Sequence, residues 1–435
     1  MTVTPILARM SADVFSSAVT DAALDVMRLS VVDWAAVAIA GRLEPVTQAV
    51  NHVEMENGGH PTASVVGRAT RLPMRGAAMV NGTAAHALDF DDTHFAHIGH
   101  PSAVIVSAAL AMAEHQGEGD GDMFLRAALV GAETSIRTGL WLGRAHYEVG
   151  FHQTATSGII GAAVAGTAIF DLDMQEACSA IGLAATRAAG LKVQFGTMGK
   201  PYHAGMAAAG AVEAVQAAVV GVEGAQEVLG GPFGFGATHH GTGDMSAFEH
   251  ADYLFPNVSH KYHACCHGTH AAIEAVLALR DQISPAAVER IEIAVHPRWL
   301  DVCAIPAPQT RLEAKFSLSA TAALALLGRP LNTDLAFEPD VILAPDVVAL
   351  RDAVQVRGDA TLSDTQASVR IEAGRDSHAT THDLAQAAPL AERQSRIRAK
   401  ATALIGADQT DVLWRAVHAQ GGVDLDALGT VLRGD

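Results

Sequence analysis

Aromatic side chains are scarce in this chain of 435 residues, at 5%. A core built from it must be lined by small aliphatic residues, which lets helices approach closely. Cysteine is rarer: Cys178, Cys265, Cys266 and Cys303 are too few for a disulfide scaffold. The adjacency of Cys265 and Cys266 suits neither a CxxC redox pair nor a zinc knuckle. Basic residues are outnumbered, 29 Lys and Arg against 47 Asp and Glu, for a net charge of −18. That field repels polyanions, so neither nucleic acid nor an anionic membrane is an expected partner. The opening stretch MTVTPILARMSADVF lacks the charged start, apolar centre and cleavage site of a secretory signal. The most apolar segment, Ala204 to Val222, is Ala-rich and interrupted by Glu213, as in a buried helix rather than a bilayer span. Neither G-x-G-x-x-G after a strand nor G-x-x-x-x-G-K-[ST] occurs, which argues against dinucleotide or nucleoside triphosphate chemistry. A reduced, cytoplasmic, soluble protein is the expectation.

What is present is ample apolar side chain. Hydrophobic residues make up 49% and charged residues 17%, with mean hydropathy +0.21, enough to offset the entropy of ordering one or two domains. The first half carries helical spacing in run after run: Asp21 to Ile39, Ser102 to His115, Met123 to Leu140, Ser157 to Phe170, Met174 to Ala188 and His203 to Val222. This half is expected to be all-α. After about Ala286 the period changes. Glu289 to His296 and Ala367 to Ala373 alternate as half-buried strands do, Ala353 to Val356 does so more weakly, and a helix is expected around Leu312 to Leu327. Helical composition returns from Pro389. The reading is a mainly α protein: a large helical domain from residues 1–260 and 386–435, with an α+β domain of residues 261–385 inserted and strands confined to the insert.

Three segments gather ionisable residues at helix starts. Asn81 to Ala103 holds Asp89, Asp91, Asp92, Thr93, His94, His97 and His100, with Pro101 at the favoured first helical position. Gly196 to Gly205 presents Lys200 before Pro201, and His260 to His270 presents Lys261 before another helix. Helix N-termini offer unsatisfied N–H groups and partial positive charge, so they receive carboxylates, and a lysine there adds a full charge. The same field disfavours protonated imidazole, which suits His100 to accept a proton next to a bound carboxylate. Other readings of these residues stay open. The His/Asp-rich loop could ligate zinc or iron, although its spacings match no usual metal motif. It could instead be structural, its Asp side chains capping backbone amides. Cys266 could pair with His267 or His270 as a nucleophile, or simply fill space. A carboxylate-binding protein without turnover is the reading from a different class.

At these residues the chain resembles the MmgE/PrpD family, which includes 2-methylcitrate dehydratases, cis-aconitate decarboxylases and iminodisuccinate epimerases. The matching stretches are NGTAAHALDFDDTH…HPSA, HYEVGFHQTATSG (His146 to Gly158), FGTMGKPYHAG (Phe195 to Gly205), KYHACCHGTH (Lys261 to His270) and EAKFS (Glu313 to Ser317). The resemblance implies a helical domain with a smaller α+β lid, a homodimer, and catalysis on small di- or tricarboxylates without cofactor or metal. It implies catalytic roles for Asp89, His100, His152, Lys200 and Lys261, and substrate contacts from Thr93, Tyr147, His203 and Cys266. Cys266 stands where the decarboxylase pattern has His, and the dehydratase pattern S-Y-P-A-E-F-H is absent. Both departures favour epimerisation of an iminodisuccinate-like substrate, with dehydration or decarboxylation of a citrate- or aconitate-like acid as the alternative.

These roles predict that His100→Asn lowers kcat by ~10²–10⁴-fold with little change in KM. Lys200→Met and Lys261→Met should raise KM, and His97→Asn, in the same loop, should cost much less activity. Steady-state kinetics of the four variants checks the assignment.

Overall fold

A computed structural model describes residues 2–117 and 120–434, and it is mainly helical. By its contacts the chain divides into two compact units, Met1–His260 with Leu390–Asp435, and Lys261–Pro389. Among the described residues no helix is long and apolar enough to cross a membrane.

The first unit is centred on four helices, Met74–Ala87, Pro101–His115, Gln153–Ile169 and Gly199–Val219, which pack on one another along small residues. Helices this rich in Ala and Gly carry few bulky ridges, so their backbones come close. Among these four the tightest approach is between Met74–Ala87 and Gly199–Val219. A Cβ on Gly205 would lie 2.2 Å from Thr83 Oγ1 and 2.3 Å from the Met79 carbonyl, and one on Gly82 would lie 3.0 Å from Gly205 Cα. The Gly121–Val149 helix runs beside Gln153–Ile169 and kinks at Gly143, whose φ of 72° is left-handed. Both chain ends build this unit. The Leu390–Ile405 helix packs on Asp21–Gly41, where Lys400 Nζ lies 2.6 Å from Asp33 Oδ1 with both side chains buried.

The expectation that the first half is all-α, with strands confined to the insert, is corrected here. Strands β1 (Ala63–Val65) and β2 (Arg68–Leu72) form an antiparallel hairpin with Val65 opposite Arg68. Gly67, at φ 71°, makes the turn. The strands are too short to show alternation, and their free edges are satisfied from outside. Ser64 N–H donates to Glu114 Oε2, Val66 N–H donates to Asn81 Oδ1, and Gly67 N–H donates to the Leu432 carbonyl.

The second unit carries a four-stranded sheet in the order β4-β3-β5-β6, from β3 (Val288–Val295), β4 (Val354–Gly358), β5 (Gln366–Ala373) and β6 (Asp376–Asp383). The β3–β4 pair is parallel and the others are antiparallel. Ile291 opposite Ile371 and Ile293 opposite Val369 are fully buried beneath the sheet, so the alternation in both strands is paid out as one apolar face. The His267–Arg280 helix packs against β5 and β6. The sequence does not announce β6, DSHATTHD, because an edge strand needs only backbone pairing on one side and no apolar face. The helix expected around Leu312 to Leu327 is broken. Arg311–Lys315 ends before Ser317, whose Oγ caps Leu318–Leu326 by accepting from Ala320 N–H.

Adding one methyl group at the Gly205 contact tests the first unit. Gly205→Ala should destabilise the protein by about 1–3 kcal/mol, because its neighbours are backbone and a short side chain that cannot swing away. Chemical denaturation against the wild type reads it.

Candidate active site

The segment Asp89–Asp92 leaves the Met74–Ala87 helix, and each of its residues is held from a different direction. Asp89 adopts a left-handed φ of 50°, and its Oδ1 accepts from Lys200 Nζ at 2.7 Å. The Phe90 ring is buried, and its carbonyl accepts from Lys400 Nζ at 2.6 Å. Asp91 accepts from His86 Nδ1 at 2.9 Å through Oδ2, which also lies 3.2 Å from His100 Nδ1. Asp92 Oδ2 accepts from the hydroxyls of Ser30 at 2.9 Å and Ser102 at 2.5 Å. Behind it, Ser30 Oγ lies 3.0 Å from His260 Nε2, and His260 Nδ1 lies 3.4 Å from Arg393 Nη2.

Around this segment three helices begin. His100 caps Pro101–His115, and its backbone N–H donates to Thr154 Oγ1 at 3.1 Å. His152 caps Gln153–Ile169. Lys200 is the second residue of Gly199–Val219. The imidazoles form a contiguous cluster: His86 meets His100 edge-on at 4.5 Å between ring centres and stacks on His152 at 5.7 Å. His152 Nδ1 lies 3.2 Å from His203 Nδ1, so one of the two rings donates and the other accepts. Phe195 closes one side, edge-on to His152 at 4.9 Å and under Lys200 at 5.4 Å. The accessible rim is Asp89, Lys200 and His100, with side chains 38%, 17% and 12% exposed, while His86, Asp91 and His152 lie behind.

The charges sort by environment. Burial alone would raise the Asp91 carboxyl, but the His100 and His86 imidazoles together hold it well below the usual carboxylate range. Its neighbour goes the other way. Burial pushes Asp92 up to about 7 against the Ser102 hydrogen bonds, helped by the charges of Asp33 and Asp91. Burial, with His86, Lys200, His100 and His203 close by, lowers His152 well below the ordinary imidazole value, and burial with His86 lowers His203. Asp91 Oδ2 thus faces the Nδ1 atoms of both imidazoles, and His100 Nε2 lies 3.7 Å from Asp89 Oδ1 at the rim. The sequence reading weighed only the helix end at His100. The structure adds two carboxylates whose field opposes that of the helix.

Of the residues singled out in the sequence, Asp89, His100, His152, Lys200 and His203 come together. Thr93 is in the first unit, where its backbone pairs with Ser259 in both directions at 2.9 and 2.8 Å. Tyr147 lies under Lys192, whose Nζ is 3.7 Å from the ring centre and donates to the Tyr147 carbonyl. Lys261 and Cys266 belong to the second unit, where Lys261 is buried and Cys266 caps the His267–Arg280 helix. His97 is in the loop as expected, but it is fully buried, and a Cβ on Gly139 would lie 2.6 Å from its own Cβ. His97→Asn therefore disturbs packing, so a loss of activity there has to be read together with the variant's stability. Sequence reasoning passed over His86 and Phe195 and gave Asp91 no role; the only signal for His86 was its place in the last turn of the helix that delivers Asp89.

His86, Asp89, Asp91 and His100 could hold a metal ion, since one ligand atom from each lies within 4.8 Å of the others. Lys200, 2.7 Å from Asp89, already places a cation against that cluster, so a divalent ion would meet a like charge.

Residues 6–247 match the MmgE/PrpD N-terminal domain and residues 263–406 the MmgE/PrpD C-terminal domain. The chain belongs to the MmgE/PrpD family. Among curated relatives it is 33% identical over 171 residues to the human cis-aconitate decarboxylase, covering 38% of this chain and 35% of that protein. It is 28% identical over 276 residues to the mouse enzyme of the same name, covering 59% and 55%. A cis-aconitate decarboxylase-like protein of Aspergillus oryzae is 30% identical over 231 residues, covering 49% and 48%. The chain thus aligns with about half or less of the length of these relatives.

The raised Asp92 carboxyl makes stability depend on pH. Its folded value of about 7 exceeds the ordinary 3.8, so its stabilising contribution is full below about 3.8 and is lost as pH rises to about 7. Asp92→Asn, which keeps the shape of the protonated acid, should remove this component, so that the variant's Tm relative to the wild type rises between pH 5 and 7. Melting curves across that range check it.

Proposed function

We propose that this protein is a lyase acting on a small polycarboxylate of the citrate or aconitate class, by proton transfer at the carbon next to a carboxylate. The observation that carries the reading is the pairing of Asp91 with His100 beside the Asp89–Lys200 pair, where three helices begin. Helix N–H groups and Lys200 suit a substrate carboxylate, and they also favour the charge that builds on the adjoining carbon during reaction. His100, with Nδ1 held against an ionised carboxylate, is placed to move a proton through Nε2. In dehydration an imidazole takes the α-proton and an acid delivers a proton to the departing hydroxyl. In decarboxylation the C–C bond breaks, carbon dioxide leaves, and the electron pair left on carbon takes a proton from an imidazolium. His152 and His203, buried and sharing one hydrogen bond, are the candidates for the second proton.

The leading expectation from sequence was epimerisation of an iminodisuccinate-like acid. The relatives lend it no support, since those matched are named for decarboxylation, and the lyase alternative takes its place. Cys266 remains a departure from the decarboxylase pattern, so the substrate proposed is a class rather than cis-aconitate alone.

Proton NMR in D2O with citrate- and aconitate-like acids tests the reading. New alkene signals or released carbon dioxide are expected. Solvent exchange at Cα with no new alkene would instead mean an epimerase, and thermal stabilisation by the acids without turnover would mean a binding protein. Asp91→Asn should lower kcat by ~10²–10⁴-fold while changing KM little, since it removes the negative charge beside His100 without removing the carboxylate-binding charges.

A further inference from the structure

Two thiols in the second unit stand within reach of each other. The Cys303 S–H points at Cys266 Sγ, 3.3 Å away, and no disulfide joins any of the four cysteines. Cys266 is half-buried and stands at the N-cap position of the 14-residue helix His267–Arg280, while Cys303 is fully buried. The two chain segments that carry them are pressed together. A Cβ on Gly268 would lie 2.4 Å from the Trp299 ring, and Trp299 is tied by its Nε1–H to the Asp364 carbonyl at 2.8 Å. Directly after Cys303, Ala304 pairs with Ser317, and Cys266 N–H donates to the Lys315 carbonyl at 2.9 Å. The sulfurs are therefore held near each other by packing rather than by chance rotamers.

We propose that Cys266 and Cys303 form a reversible oxidation site for hydroperoxides, with Cys266 as the attacking sulfur and Cys303 as the resolving one. This does not rest on the proposed lyase activity. Cys266 receives both the helix N-terminal field and the hydrogen bond from Cys303, and each favours its thiolate. The same hydrogen bond, together with burial, raises the Cys303 thiol, so that sulfur keeps its proton. In the first step the Cys266 thiolate attacks the peroxide. The O–O bond breaks, an S–O bond forms, sulfur is oxidised by two electrons, and the peroxide is reduced to an alcohol or water. In the second step the Cys303 sulfur attacks the sulfenic sulfur. The S–S bond forms, the S–O bond breaks, and the departing hydroxide leaves as water with the Cys303 proton. The sulfurs must close from 3.3 Å to about 2.05 Å, a shift that side-chain rotation can supply.

Cys265 is unsuited to either role. Burial pushes its thiol up to about 12 against the pull of its Thr269 hydrogen bond and of Lys315 and Lys261. As sequence neighbours, Cys265 and Cys266 have Cα atoms about 3.8 Å apart, short of the roughly 4.4–6.8 Å that disulfides use.

The test is to treat the whole protein with hydrogen peroxide, block remaining thiols and map peptides without reduction. The expected result is a fall from four titratable thiols to two, with a Cys266–Cys303 cross-link that dithiothreitol reverses. Cys265→Ser should still cross-link, and Cys303→Ser should stop at a Cys266 sulfenic acid that dimedone traps. Four thiols surviving the peroxide, a cross-link that includes Cys178 or Cys265, or sulfinic acid at Cys266 of the wild type without a cross-link would each overturn the proposal.

Discussion

Three carboxylates within four residues, at Asp89, Asp91 and Asp92, are the charge that the first unit is organised around. Two of them are buried, and an uncompensated buried carboxylate costs several kcal/mol. Each is met by a different partner: Lys200, the His86 and His100 pair, and the Ser30 and Ser102 hydroxyls. Those partners come from the Gly199–Val219, Met74–Ala87 and Asp21–Gly41 helices and from the start of Pro101–His115. Satisfying one short segment thus fixes how four helices sit. The Leu390–Ile405 helix joins the same arrangement from the far end of the chain, where Lys400 reaches Asp33 and the Phe90 carbonyl and Arg393 reaches His260. A helix held to this segment through Lys400, and to His260 behind it through Arg393, is part of the site's foundation rather than an appendage.

The scarcity of aromatics serves the same end. Small residues let the Met74–Ala87 and Gly199–Val219 helices touch at Gly82 and Gly205, and that contact sets the distance from Asp89 at the end of one helix to Lys200 at the start of the other. A bulkier interface would separate backbones by ångströms, enough to break an ion pair of 2.7 Å. Close packing also removes room for rearrangement, so the functional groups are pre-positioned by the core beneath them.

Electrostatically the cluster divides labour by depth. At the rim a lysine, a carboxylate and an imidazole share a partly exposed ion-pair network. Behind them Asp91 remains ionised because two imidazoles face it, while Asp92, one residue on, is raised to about 7 by burial and by its acidic neighbours. Two adjacent aspartates with opposed shifts show that local partners, not residue type, decide which carboxylate carries charge.

Composition and periodicity alone determined a good deal: a mainly α chain, helices near their observed places, and strands at Val288–Val295 and Gln366–Ala373, because a helix or a half-buried strand writes its period into its own residues. Motif resemblance pointed to Asp89, His100, His152, Lys200 and His203, since helix starts with ionisable residues are visible locally. The β1–β2 hairpin was hidden, because its backbone bonds are completed by Asn81, Glu114 and Leu432, distant in sequence, and β6, which follows β5 after two residues, was hidden because an edge strand carries no apolar face. His86 and Asp91 were hidden for the same reason. A histidine in the last turn of an Ala-rich helix and the second aspartate of an acidic run look structural until the fold sets His86 against His100 and His152. Which carboxylate is charged, which imidazole it orients and which thiols face each other are decided by three-dimensional proximity and burial, and neither is encoded in any single stretch of the chain.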